Sequence, residues 1–207
     1  MVKTAKPEMM NELKETVYKF FPKNIVKEEG LYEESKEHKK FVDLKESFIK
    51  NESSQKEILS LIESTFCDYH VSDYTDLNLY NCLEYNVLLN GKEPMLNDDI
   101  DWIRKSRGER LDLGVFVSLL DKYYYYYVLK TTYDEDVREW TFETIDVEMD
   151  TICEFDKLMN TKGFVRVERE VARTAIPDIE TECLRMGEVN VFHALFTDSV
   201  SENEKVV

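Results

Sequence analysis

Leu111, Leu113, Val115, Val117 and Leu119 alternate with Asp112, Gly114, Phe116, Ser118 and Leu120, and after Asp121-Lys122 come five consecutive tyrosines, Tyr123 to Tyr127. Successive side chains of an extended strand point to opposite sides of a sheet. The tyrosine run therefore puts large rings on both faces of any sheet it joins. Two arrangements satisfy it. Either helices cover both faces while the hydroxyls reach the rim, or Tyr123, Tyr125 and Tyr127 form an apolar anchor on an exposed partner-binding face, where tyrosine is favoured. A turn at Asp121-Lys122 makes the two segments a hairpin. With a two-residue turn, Leu119 opposes Tyr124, Val117 opposes Tyr126 and Val115 opposes Val128 on the core face. The other face then gathers Tyr123, Tyr125, Tyr127 and Phe116 around Ser118 and Gly114.

Before the hairpin the period is helical. Met10, Leu13, Val17 and Phe20 recur at spacings of three or four, and Phe21-Pro22 supplies a stop. Tyr32 to Lys50 is rich in Glu and Lys and carries Phe41, Leu44 and Phe48 on one face, with its charges expected towards water. Ser54-x-x-Glu57 reads as a capping box that opens a third amphipathic helix through Ile58, Leu59, Leu61, Ile62 and Phe66. From Leu77 the period becomes two: Leu77, Leu79, Leu83, Tyr85, Val87 and Leu89 share a face, and Asn90-Gly91 ends the strand. Glu143 to Asn160 reads as a helix with Ile145, Met149, Ile152, Phe155 and Met159 apolar and Lys162-Gly163 as its stop. Phe164 to Val171 reads as a short strand and Val189 to Phe196 as a short apolar element. This order predicts an α+β fold, N-terminal helices followed by a mostly antiparallel sheet with a packed helix. The expected organisation is a single domain over residues 1–197, helical over 1–70 and sheet plus helix over 77–197, with a flexible tail at 198–207.

Lys and Arg number 27 against 43 Asp and Glu, a formal net charge of −16. So negative a surface repels phosphate, which disfavours DNA, RNA and anionic lipid and favours a basic protein partner. Hydrophobic residues, at 43%, supply a core and exclude wholesale disorder despite that charge. Cys67, Cys82, Cys153 and Cys183 form no C-x-x-C pair, and no apolar stretch follows Met1-Val2-Lys3, which predicts a cytoplasmic protein with reduced thiols. No apolar run approaches the ~20 residues that span a bilayer.

The motifs of common catalytic and metal sites are missing. The chain contains no G-x-S-x-G, no G-x-x-x-x-G-K-[ST] and no G-x-G-x-x-G, and only six glycines in all. His38, His70 and His193 stand outside any H-E-x-x-H or zinc-type Cys/His spacing, and Cys67 with His70 has no third orienting group. His193, among apolar neighbours, is expected to be structural. The clusters at 97–101 and Asp134-Glu135-Asp136 lack the ligand spacing and central glycine of an EF-hand loop. The expectation is a protein without catalytic residues, cofactor or metal. The one basic cluster, Arg104 to Arg110, is set in acid and is expected to make internal ion pairs.

Along the expected helix, Glu143, Asp146, Asp150 and Glu154 recur at spacings of three and four opposite the apolar face. Like charges so placed cost a few tenths of a kcal/mol per pair. Residue by residue they read as a solvated face. As a set, with Asp98, Asp99 and Asp101 of the preceding loop, they would receive the Lys and Arg of a basic partner in fast, salt-sensitive association.

Three passages carry a family resemblance. The first is Phe21-Pro22-Lys23-Asn24-Ile25 with Tyr32-Glu33-Glu34-Ser35-Lys36-Glu37-His38-Lys39-Lys40, and the second is Val117-Ser118-Leu119-Leu120-Asp121-Lys122-Tyr123-Tyr124. The third is Ile176-Pro177-Asp178-Ile179-Glu180-Thr181-Glu182 with Gly187-Glu188-Val189 and the ending Val191-Phe192-His193-Ala194-Leu195-Phe196. Together they resemble small acidic bacterial immunity proteins encoded beside polymorphic or contact-dependent toxins. The resemblance implies a cytoplasmic inhibitor that binds a cognate, basic toxin domain and blocks its active site or an essential surface. No binding residue carries over by motif. Two other classes fit the charge: an acidic phage or mobile-element inhibitor that mimics nucleic acid to block a nuclease or defence factor, and an enzyme with a carboxylate site, which requires a deep pocket of convergent polar groups.

Overall fold

A computed structural model describes residues 7–94, 100–106 and 108–198. Five strands pair antiparallel in chain order: β1 (His70–Asp73), β2 (Cys82–Leu88), β3 (Glu109–Ser118), β4 (Tyr123–Asp134) and β5 (Glu139–Ile145). A two-residue strand, β6 (Val165–Arg166), runs parallel to the start of β4, opposite Tyr123 and Tyr124, while β5 pairs with β4 from Val128 onwards. The helices are α1 (Pro7–Val17), α2 (Leu31–Glu34), α3 (Lys36–Lys50), α4 (Glu52–Thr65), α5 (Ile100–Lys105), α6 (Asp150–Thr161), α7 (Arg169–Ala172) and α8 (Val191–Leu195). The fold is α+β, with N-terminal helices ahead of a mostly antiparallel sheet.

Helices cover both faces. On one, Leu13 and Val17 of α1, Val171 of α7 and Phe192 and Leu195 of α8 pack on Phe116 and Tyr125. On the other, Ile58 and Ile62 of α4 and Ile152, Phe155 and Met159 of α6 pack on Tyr85, Val115 and Tyr124. The tyrosine run is satisfied by these two layers. Tyr123 and Tyr125 are buried, at 9% and 2% exposure, so they are removed from the expected exposed anchor; Tyr127 is half-buried.

The β3–β4 hairpin has the predicted faces in a different register. Val117 opposes Tyr124, Val115 opposes Tyr126 and Leu113 opposes Val128. The turn takes Leu119 to Lys122, four residues instead of two, because Leu119 bonds the Asn81 carbonyl at 3.0 Å and Ser118 Oγ accepts from Leu120 N at 3.1 Å. Leu119 and Leu120 then enter opposite cores. A slip of two residues preserves every side chain's face, whereas a slip of one would invert them all.

Other boundaries differ for local reasons. Residues 143–149 are not helical: β4 continues to Asp134, the chain turns at residues 135–138 with Arg138 at φ 59, and β5 returns along it. Ile145, Met149 and Ile152 are spaced like a helix but straddle a strand end, a connection and the first turn of α6. β2 begins at Cys82, because Asn78 N and Leu79 N both close onto Asp76 in a turn, which leaves Leu79 exposed. Ser54 caps nothing, since α4 already starts at Glu52. Residues 164–171 divide into β6 and α7, and Asp198, placed at the start of the expected tail, is buried and accepts a bond from Cys183 N at 2.8 Å. His193 closes a capping box with Asn190 at the start of α8, the structural role expected of it.

The segment 32–50 is two helices, divided at Ser35. Its Oγ accepts from His38 N at 3.1 Å and donates to the Tyr32 carbonyl at 2.6 Å, capping α3 while closing α2. Ser35→Ala is expected to cost about 1 kcal/mol, read as a lower urea midpoint with unchanged slope.

Candidate functional site

Of the expected acidic residues, Glu143, Asp146, Asp150 and Glu154 stand on three successive segments of the chain. Glu143 is an exposed residue of β5 opposite Lys130, Asp146 lies in the β5–α6 connection, and Asp150 and Glu154 stand one turn apart on the outer face of α6. Glu148 of the connection joins them. Between Arg138 and Lys157 the chain carries Glu139, Glu143, Asp146, Glu148, Asp150, Glu154 and Asp156 and no Lys, Arg or His. All but Asp156 are exposed.

Several acids elsewhere have local cations. Glu46 pairs with Lys50 at 2.8 Å, Glu52 with Lys56 at 2.7 Å and Glu57 with Lys162 at 2.7 Å. Hydrogen bonding to these lysines holds each of the three carboxyls below the usual range. Asp101, one of the expected partner contacts, is paired to Arg104 at 2.9 Å, and Arg104 also grips Glu135 at 2.6 Å. The basic cluster thus makes internal ion pairs, as its setting implied. Asp98, Asp99 and Arg107 lie outside the described residues.

Asp156, the inward acid of this run, fixes α6 on the sheet. It accepts from the Tyr124 hydroxyl at 2.8 Å and the Tyr126 hydroxyl at 3.1 Å, and Arg166 reaches it at 3.2 Å while its guanidinium lies 4.0 Å from the Tyr126 ring centre. Burial, more than the Asp156 charge, raises the pKa of both phenols. They therefore remain donors at neutral pH, and Asp150 and Glu154 are presented outward on an anchored helix. Beside Asp146 and Glu148 a cleft of about 320 Å³ opens towards residues 166–170, lined by these two acids, Glu168 and Glu170 together with Arg166 and Arg169.

A second concavity, of about 280 Å³, lies on the sheet itself. Glu84 of β2, Arg110 and Asp112 of β3, and Tyr127 and Thr131 of β4 line it, with Phe142 of β5 alongside. Glu84, Arg110 and Asp112 are only 7%, 5% and 6% exposed. Arg110 forks onto Asp112, with Nη2 2.7 Å from Oδ1 and Nε 2.7 Å from Oδ2. Gly114 lets the Tyr127 ring lie across β3, since a Cβ there would meet the ring at 3.1 Å. The sequence reading passed over this site. Its signal was the presence of Glu84 and Asp112 at strand positions that share the face of Phe116, where the alternation calls for apolar residues.

Among the described residues no group of three His, Cys, Asp or Glu is placed to hold a metal ion, and no helix is long and apolar enough to cross a membrane. A scan against family models, a search of curated proteins and a search of solved structures found no match to the chain.

Proposed function

We propose that the protein is an immunity-type inhibitor, which binds one basic toxin domain in the cytoplasm and neutralises it by covering its active site or another surface it needs. The observation that carries this reading is the run from Glu139 to Glu154, in which six exposed acids and no Lys, Arg or His follow one another along β5, the connection and α6. Such a surface is costly to keep near itself and gains most from a complementary one. The net charge of −16 and the resemblance to toxin-linked immunity proteins agree with it. The reading requires no catalysis, cofactor, nucleic acid or membrane.

Charge reversal tests the surface. The triple variant Asp146→Lys, Asp150→Lys, Glu154→Lys is expected to bind the proposed cognate toxin domain at least about 100-fold more weakly and to flatten the salt dependence of binding. A matched charge reversal of α3, Glu37→Lys, Asp43→Lys, Glu46→Lys, is expected to bind within about twofold of the parent, because α3 carries its own lysines. Equal losses in the two variants would assign the effect to bulk charge and remove the β5–α6 surface from the proposal.

A further inference from the structure

The helices α1, α7 and α8 cover one sheet face around Phe116 and Tyr125, but β2, β3 and β4 run on past that cover. The pocket of Glu84, Arg110 and Asp112 is built on this continuation, flanked by the half-buried rings of Tyr127 and Phe142. We propose that it receives the guanidinium group of an arginine side chain from the protein partner. This rests on the reading of that partner as a basic protein, and it adds to the acidic edge a specific, deep contact.

Charge selects a cation. Two carboxylates and one guanidinium line the pocket, a formal charge of −1 on groups that are all more than nine-tenths buried. An anionic ligand would meet two acids to reach Arg110, whereas a cation restores neutrality. In so little water each such contact is stronger than on the open surface.

Shape selects arginine. A volume of about 280 Å³ fits one long side chain and is small for a nucleotide or cofactor. The aromatic residues Tyr127 and Phe142 in the lining suit a flat, weakly hydrated guanidinium better than the compact, strongly hydrated lysine ammonium. The walls are set before anything arrives. The two-point Arg110–Asp112 contact fixes the floor of the pocket, and Tyr127 stacks on Phe116 with ring centres 5.8 Å apart. A preformed site of this kind spends little of its binding energy on ordering.

The test is an NMR titration of the full chain with N-acetyl-arginine-N-methylamide, and with the citrulline analogue as the neutral control of the same shape. The arginine probe is expected to give saturable shifts at the amides of Gly114, Tyr127 and Thr131, with a dissociation constant on the order of 1 mM, and the citrulline probe to bind at least about tenfold more weakly. Glu84→Gln keeps the shape, removes one charge, and is expected to weaken the arginine probe about tenfold. Should that variant fail to fold, Phe142→Leu decides instead, with an expected loss of about fivefold from the missing ring. Absence of saturable shifts, equal binding of citrulline, or unchanged binding in the folded variants would overturn the proposal. Because no toxin is present, the titration is independent of the functional reading: a pocket that binds arginine in a protein that inhibits no toxin leaves the site and removes the inhibitor, and the reverse outcome does the opposite.

Discussion

Above pH 10 the folded protein is expected to lose about 4 kcal/mol of stability per pH unit through three tyrosines alone. Tyr32, Tyr85 and Tyr124 are 3%, 1% and 0% exposed. Burial is the main reason that their phenols ionise well above the ordinary range, reinforced at Tyr32 by Glu182, Asp198 and Glu180, at Tyr85 by Asp73 and at Tyr124 by the bond to Asp156. In the unfolded chain the same groups release their protons near pH 10. Across the window above that value the folded state retains protons that the unfolded state gives up. The stability these groups contribute is thus complete below the unfolded pKa and declines as pH rises towards the folded one. Tyr18, pushed up to about 12 by partial burial and its 2.8 Å bond to Asp178, adds a smaller, solvent-screened share. Urea melts at successive pH values, with phenolate absorbance followed in parallel, measure the slope. Tyr32→Phe should flatten it by about a third. An unchanged slope in that variant would mean that the hydroxyl of Tyr32 is hydrated in the folded state.

Phe116→Ala is expected to destabilise the protein by about 3–5 kcal/mol. The ring is 1% exposed and sits where β3 meets the α8 layer. It meets Phe192 edge-on at 5.4 Å and Phe196 at 6.4 Å, and stacks on Tyr127 at 5.8 Å. Truncation removes the transfer free energy of the ring, leaves a cavity between two rigid layers that cannot close on it, and forfeits several aromatic contacts. Against a total of about 5–15 kcal/mol for a domain, that places the variant close to unfolding at room temperature. Val165→Ala, at a residue 45% exposed, is the control and should stay within about 0.5 kcal/mol. A small effect at Phe116 would contradict tight packing between the sheet and α8.

The fold was legible wherever one periodicity ran undisturbed. In β3 and β4 the alternation of period two assigned every side chain to its proper face, and this survived an error in turn length because the slip was even. α4 and α6 were equally plain, since Ile58, Leu61 and Ile62 of one and Ile152, Phe155 and Met159 of the other meet the same core. The reading failed where sequence spacing and backbone geometry coincided by chance. Ile145, Met149 and Ile152 imitate a helix across a strand end, and this hid β5 although half-buried Trp140, Phe142 and Thr144 alternate there with exposed Glu139, Thr141 and Glu143. β1 is four residues long with no buried side chain, which leaves nothing to read. Of the acidic set, Asp150 and Glu154 share a helix face as expected, whereas Glu143 lies on β5 and Asp146 in the connection that follows it. The sheet pocket was hidden for another reason: alternation puts Glu84 and Asp112 on the Phe116 face without showing that they are buried, while Arg110, expected to make an internal ion pair, makes it with Asp112.

The central proposal is that the acidic run from β5 to α6 binds a basic toxin and silences it. Its most direct test is a titration of the full chain against the proposed cognate toxin domain, with heat of binding and residual toxin activity measured in the same samples at low and high salt. The account predicts one-to-one binding, loss of toxin activity at stoichiometric protein, and an affinity that falls about tenfold or more as the salt is raised through the range where the screening length shortens from about 10 Å to about 3 Å. Undetectable binding together with full toxin activity at excess protein would contradict it.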